Sequence, residues 1–232
     1  MLTIAATIVG IGFVVPNTWL RLGGVSLQTL LFKTICGVLF TLAGASAIIY
    51  LPAALVPLGV LVLLGLMFGL LGDIWLALKE LVPNAHDNYL WAGFAAFGIG
   101  HVFFVAGLLA AWRPGWPSIL GAFAAAAVVP LAVLVLENRL RLNFGKFKWI
   151  AVGYGFLLCL TPSTALFTAF SGPQIGWQAL LMGIGGVCFF ASDLVLAAAY
   201  FGRSDSSAAN HIACYALYYG AQFTIALSLL LA

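Results

Sequence analysis

Two short stretches of this chain nearly repeat each other, and each places an aspartate near the end of a long apolar run. They are residues 72–77 (GDIWLA) and residues 192–197 (SDLVLA). A carboxylate at the centre of a bilayer costs about 2.5–3.5 kcal/mol on insertion scales, so such residues are usually kept for a task. Two of them in matching local sequence suggest one polar site built from two helices. Asp73 and Asp193 are therefore the candidate catalytic residues.

Other polar residues that interrupt apolar runs are candidates for binding a substrate. Lys33 and His101 each lie within a run. The last run carries a polar stripe with spacing 0, 4, 7 and 11, which places its members on one face of a helix. The stripe consists of His211, Tyr215, Tyr218 and Gln222.

The composition predicts that these residues are positioned by membrane-spanning helices. Of the 232 residues, 64% are hydrophobic and only 6% are charged. The apolar runs are too long for barrel strands, and no basic cluster is dense enough for nucleic acid. At about 20 residues per span, we expect one all-α polytopic bundle over residues 1–232. Its eight predicted segments are approximately 2–20, 28–50, 54–78, 89–111, 117–136, 147–167, 177–201 and 210–231.

The distribution of lysine and arginine predicts the orientation of the bundle. Seven of these residues fall in alternate loops and one falls on the opposite side, which places the basic loops in the cytoplasm. Both termini are then outside, and the first segment is a retained helix, not a signal peptide. The short loops favour a bacterial inner membrane. The seven are Arg21, Lys79, Arg139, Arg141, Lys146, Lys148 and Arg203, and Arg113 is the exception.

This topology places the candidate residues at a common depth. Asp73 and Asp193 lie about five and eight residues from the cytoplasmic ends of their segments. Lys33 and His101 lie about five and twelve residues in from the same side. At about 1.5 Å per residue, all four fall between the cytoplasmic interface and the middle of the membrane. The sequence therefore predicts a site facing the cytoplasmic leaflet.

Metal and cofactor signatures are weak. Asp73, Asp193, His101 and His211 are suitable metal ligands, but no two of them have the i, i+4 spacing of a helical metal motif. The four cysteines lie in apolar runs without CxxC spacing and are expected to be buried hydrophobic residues. We predict neither a metal site nor a cofactor.

Taken together, these residues resemble the YhhN-like lysoplasmalogenase family of small membrane hydrolases with eight predicted spans. The similarity extends over nearly the whole chain in the number and order of spans. The motifs that carry it are Lys33, Gly72-Asp73 with Leu76, His101, Ser192-Asp193 with Leu196, and Tyr218-Tyr219-x-Ala221-Gln222.

The resemblance implies hydrolysis of the vinyl ether bond of a lysoplasmalogen to a fatty aldehyde and a glycerophospho-alcohol. The expected partners are this lysophospholipid and membrane lipids, and the oligomeric state stays open. Asp73 and Asp193 would form an acidic pair, and the sequence does not say which one is the acid. Lys33 could hold the phosphate. His101 would line the substrate site, and Tyr215, Tyr218 and Gln222 could orient water or the headgroup.

The implied chemistry suits a pair of carboxyl groups. A vinyl ether breaks after protonation at carbon, and water attacks the resulting oxocarbenium ion. The reaction needs a protonated general acid and a negative or polar group that stabilises the cation. Paired carboxylates with divided roles serve oxocarbenium chemistry in glycosidases.

A transporter or lipid-binding protein is the alternative function. In it, the same carboxylates would bind protons or a solute. Spans 1–4 and 5–8 could form a parallel 4+4 repeat, because Asp73 precedes His101 by 28 residues and Asp193 precedes Gln222 by 29. The outer halves of the spans hold no ionisable residue, whereas a transport path needs polar lining from both sides. The sequence therefore favours the hydrolase.

Overall fold

The computed structural model describes residues 1–202 and 207–232, and this part of the chain contains eight α-helices. All eight are long and apolar enough to span a membrane, which confirms the predicted all-α bundle. Arg203, which was counted among the basic loops, lies outside the described residues. The helices are α1 (Leu2–Leu22), α2 (Leu27–Ile48), α3 (Val56–Leu81), α4 (His86–Trp112), α5 (Trp116–Leu136), α6 (Lys148–Ala169), α7 (Trp177–Phe201) and α8 (Ala208–Ser228).

The helix ends follow local capping and proline signals. Ser26 and Thr29 form a capping box at the start of α2, and the Ser207 side chain accepts a hydrogen bond from the Asn210 N–H at the start of α8. The α3 helix continues to Leu81 because the first helix-breaking residue after its apolar run is Pro83. The predicted end at residue 78 was therefore too early.

Helices that are consecutive in the sequence mostly pack side by side. α3 packs along α4, and α7 packs along α8. α8 also contacts α1, α2 and α3, whereas α5 packs mainly against α6 at the edge of the bundle. The contact of α4 with α6 joins the two halves of the chain. The parallel 4+4 repeat stays a prediction.

Glycine permits the close contact between α3 and α4. A Cβ atom at Gly100 would lie 3.0 Å from the backbone oxygen of Gly65 on the facing helix. Small residues at such crossings let membrane helices approach to backbone contact. This contact fixes α4 against α3, the helix that carries Asp73.

The connection between α5 and α6 is fastened to the end of α7. The Asn143 N–H donates to the Phe201 carbonyl at 2.8 Å. Within the connection, Glu137 accepts the Phe144 N–H at 3.1 Å and pairs with Lys148 at 2.7 Å. The hydrogen bond from Lys148, together with that from Phe144, lowers the pKa of Glu137 below its ordinary value. The connection is thereby held beside the α7 end, near Asp193.

Candidate active site

Asp73 lies buried on α3 and is paired with a lysine. It is 1% exposed, and its Oδ1 lies 3.1 Å from the Nζ of Lys33 on α2. A buried carboxylate needs such a partner because desolvation of the isolated charge is expensive. The ammonium group of Lys33 therefore contacts the Asp73 carboxyl group.

A chain of hydrogen bonds from α8 reaches the other oxygen of Asp73. The Tyr218 hydroxyl donates to Asp73 Oδ2 at 2.8 Å, and Gln222 Nε2 donates to the Tyr218 oxygen at 3.0 Å. Gly69 makes this possible, since a Cβ atom there would lie 2.5 Å from Gln222 Nε2. Three helices thus fix the orientation of one carboxyl group.

Asp193 on α7 has neutral partners. The Tyr154 hydroxyl on α6 donates to its Oδ2, and Ser192 Oγ lies 3.4 Å from its Oδ1. The Ser192 hydroxyl donates to the Phe189 carbonyl at 2.7 Å. The same Ser192 hydroxyl lies within donating distance of Asp193 Oδ1, so its single proton is shared between these two acceptors. Within the described residues, no cation lies within 4.0 Å of the Asp193 carboxyl group, in contrast to Asp73.

Both aspartates line one cavity of about 650 Å³. Within the described residues, no hydrogen bond joins the two carboxyl groups, and each is bonded to its own partners. The cavity lies where α1, α3 and α7 end and α2, α4 and α8 begin, so it opens toward one side of the bundle. Its polar lining residues include Arg21, Thr29, Lys33, Asp73, Lys79, Glu80, His86, Asn143, Lys146, Ser192, Asp193, Tyr200, Asn210, His211, Tyr215 and Tyr218.

Two predicted substrate-binding residues lie behind the cavity wall. Gln222 is fully buried and reaches the site only through Tyr218. His101 is 1% exposed, and its Nδ1 lies 2.8 Å from Thr161 Oγ1 on α6. Its ring packs against Phe189, with ring centroids 4.8 Å apart. Tyr215 and Tyr218, in contrast, line the cavity.

An apolar groove of about 110 Å³ shares part of its wall with the cavity, and Asp193 belongs to that shared wall. Tyr154, the hydrogen-bond partner of Asp193, lines the groove. Helices α4 to α7 supply its apolar surface, including Leu90, Phe94, Val129, Val133, Val152, Leu158, Phe190 and Leu194.

The cavity wall contains a lysine that the sequence analysis had placed in a loop. Lys79 lies within α3 and is 4% exposed, and its Nζ lies 3.1 Å from the ring centroid of Tyr200. The other lysines and arginines of the wall pair with carboxylates: Arg21 with Glu80, Lys33 with Asp73, and Lys146 with Asp87. Within residues 1–202 and 207–232, Lys79 has no carboxylate partner within 4.0 Å.

Tyr154 was missed by the sequence analysis. Tyr154 lies between two glycines, in the half of α6 nearer the site. The available signal is therefore a polar aromatic residue at the depth of the two aspartates. Tyrosine is also common at membrane interfaces, which made that signal ambiguous. Across the described residues, no group of three His, Cys, Asp or Glu side chains converges as a metal site would require.

Comparison with known proteins identifies the family. A model of the YhhN family matches residues 28–229, which covers α2 to α8 and every residue of the site described above except Arg21. No curated protein and no solved structure matched the chain. The matched range includes most of the sequence, and so this eight-helix chain belongs to the YhhN family.

Proposed function

We propose that this protein is a membrane hydrolase that cleaves the vinyl ether bond of lysoplasmalogens, releasing a fatty aldehyde and a glycerophospho-alcohol. One observation carries the proposal: a carboxyl group, Asp193, lines both a polar cavity and an apolar groove. Membership of the YhhN family supports it. A lysoplasmalogen has its vinyl ether at the same kind of boundary, between one hydrocarbon chain and a polar headgroup.

The two spaces fit the two parts of this substrate. The groove would hold the hydrocarbon chain, since its wall is almost entirely apolar. The cavity would hold the glycerophospho headgroup and water, since basic and hydroxyl groups line it. With the basic loops in the cytoplasm, the substrate enters from the cytoplasmic leaflet.

Asp193 would act as the general acid. Its nearest polar groups are the hydroxyls of Tyr154 and Ser192, and among the described residues no cation lies within 4.0 Å of it. A carboxyl group without a cation partner keeps its proton more readily than one paired with an ammonium. Asp73 faces the ammonium of Lys33 at 3.1 Å, which favours its carboxylate form. A protonated Asp193 and an ionised Asp73 divide the roles of acid and cation stabiliser, as acid catalysis at a vinyl ether requires.

The reaction balances in three steps. Asp193 transfers its proton to the vinyl carbon remote from oxygen, and the carbon attached to oxygen becomes part of an oxocarbenium ion. Water adds to that carbon and loses a proton, which restores Asp193 and leaves a hemiacetal. The hemiacetal hydroxyl then loses its proton, the bond to the glycerol oxygen breaks, and that oxygen takes up a proton. Asp73 would stabilise the cation, and Lys33 and Tyr218 would hold the Asp73 carboxylate in place.

The test is aldehyde release from lysoplasmalogen by the purified protein in lipid nanodiscs. General acid catalysis is worth about 10²–10⁴-fold, so Asp193→Asn and Asp73→Asn should each lower kcat by at least about a hundredfold. Asp87→Asn is the matched control, since Asp87 lies on the same side of the bundle and pairs with Lys146 at an exposed position.

Two results would overturn the proposal. Wild-type protein that releases no aldehyde from any lysoplasmalogen would exclude the reaction. Near-normal turnover in the Asp73 or Asp193 variant would exclude the acidic mechanism. A transporter or lipid-binding protein, the alternative raised by the sequence, would bind the lipid without forming product.

A further inference from the structure

Lys79, which has no carboxylate partner among the described residues, has no role in the proposed acid chemistry. Lys79 lies six residues beyond Asp73 on α3, which is about 9 Å along the helix axis toward the open side of the cavity. A lysine near the end of a membrane helix commonly extends its ammonium to the lipid headgroups. Lys79 is 4% exposed, so its ammonium is held inside the protein.

The contacts of Lys79 leave its charge and its hydrogen-bond donors available. The Tyr200 ring, 3.1 Å from Nζ, attracts and orients the ammonium through a cation–π contact. A ring face neutralises no charge, and the described residues supply no hydrogen-bond acceptor to the three N–H donors of Lys79. A buried cation in this condition is stabilised by an anion that enters the cavity.

The position of Lys79 matches the layout of a lysophospholipid. Tyr200 lies seven residues beyond Asp193 on α7, about 10 Å along the axis toward the same side. In a lysoplasmalogen, seven bonds of about 1.5 Å or less separate the protonated carbon from phosphorus, which gives about 9 Å when extended. A vinyl ether at Asp193 would therefore bring the phosphate to the level of Lys79.

We propose that Lys79, oriented by Tyr200, binds the phosphate group of the substrate headgroup, a role that rests on the proposed function. Lys33 is less suited to bind the phosphate because its ammonium is paired with Asp73. Lys79 is thus the residue that makes the site selective for phosphorylated ether lipids over neutral ones.

The test measures binding of lipids that the enzyme cannot cleave. The ligands are a saturated 1-alkyl lysophospholipid, the 1-alkylglycerol of the same chain length, and water-soluble glycerophosphoethanolamine. Wild type is compared with Lys79→Met, Lys79→Gln and Lys79→Arg in nanodiscs of neutral lipid. Arg139→Met is the matched control, because Arg139 is an exposed basic residue that does not line the cavity.

Because losing a hydrogen bond to a charged group weakens binding strongly, we expect a large and selective loss of affinity for the phosphorylated lipid. Lys79→Met and Lys79→Gln should weaken binding of the alkyl lysophospholipid about tenfold to a hundredfold. Binding of the alkylglycerol should change less than about twofold. Lys79→Arg should retain most of the phosphate preference, since it keeps the charge and stacks on an aromatic ring. Arg139→Met should match wild type.

The remaining outcomes each count against one specific claim. Equal weakening of both lipids, or no weakening, would overturn the phosphate role of Lys79. Glycerophosphoethanolamine binding as tightly as the alkyl lysophospholipid would mean that the site takes soluble phosphates, and this would overturn the claim that its ligand is an ether lipid. A phosphate preference in wild type that needs Lys79, without aldehyde release from lysoplasmalogen, would keep the binding role and refute the hydrolase.

Discussion

A methyl group added at Gly69 should disturb the carboxyl site from the contact between α3 and α8. The Cβ atom of Gly69→Ala would lie 2.5 Å from Gln222 Nε2, well inside van der Waals contact. Gln222 is fully buried and must move to relieve the clash. Its hydrogen bond to Tyr218, at 3.0 Å, would then lengthen or break.

The expected loss of stability is the sum of three effects. Overpacking in a tight interior costs about 1–3 kcal/mol, and losing a hydrogen bond costs about 1 kcal/mol. The higher helix propensity of alanine than of glycine offsets up to about 1 kcal/mol of this destabilisation. The net destabilisation is about 2 kcal/mol, which lowers the midpoint of thermal unfolding by about 4–8 °C for a protein of this size.

The assay compares unfolding of the purified protein in nanodiscs across a matched set of variants. Gly220→Ala is the control, because a Cβ atom at Gly220 on α8 meets nothing within 4 Å, and this variant should unfold no lower than wild type. Gly69→Ala combined with Gln222→Ala should be no less stable than Gln222→Ala alone, since the second change removes the clashing amide. Additive losses in the double variant, or equal midpoints for Gly69→Ala and Gly220→Ala, would refute the reasoning.

Three further changes test the groups around the carboxyls and the connecting loop. Lys33→Met should destabilise the protein by about 3–5 kcal/mol, and adding Asp73→Asn should restore most of that stability in the same unfolding assay. A double variant that is no more stable than Lys33→Met would contradict the ion pair. Tyr154→Phe should keep the fold and lower kcat about tenfold or more, measured by aldehyde release, whereas unchanged kcat would remove Tyr154 from the mechanism. Because its pKa is lowered in the fold, Glu137 contributes stability that is fully present above the ordinary glutamate pKa and is lost as pH falls through the lowered one. The protection of the α5–α6 connection against hydrogen exchange, measured relative to the intrinsic rate at each pH, should therefore fall under acid in wild type and be low at neutral pH in Glu137→Gln. A connection equally protected in both would show that Glu137 does not hold it.

The architecture was predictable because apolar length and breaker residues determine membrane spans directly. Eight long runs gave the eight helices, and the conspicuous rarity of charge within them drew attention to Lys33, Asp73 and Asp193. The structure brings Lys33 into contact with Asp73 and places Asp193 on the same cavity. An isolated ionisable residue in a span is a strong signal because its burial is so costly.

The direction in which each side chain faces could not be predicted from the sequence. Gln222 and His101 have the right depth, yet they lie behind the cavity wall, since depth along a helix does not determine which neighbour a residue meets. The sequence places Lys79 in a loop because the predicted third segment ends at residue 78, whereas α3 continues to Leu81. The burial of Lys79 depends on the Tyr200 ring, which belongs to a helix more than a hundred residues away.

The wall that Asp193 shares between the groove and the cavity has an energetic consequence for delivery of the proposed substrate. Transferring a chain of about sixteen carbons from bilayer to water would cost about 13 kcal/mol, at about 0.8 kcal/mol for each methylene. In the proposed reaction, a tail held in the groove between α4, α5, α6 and α7 would stay in an apolar environment and avoid that barrier. Water would reach the same carboxyl group through the polar cavity, so two reactants of opposite solubility could meet without either one crossing the other's phase.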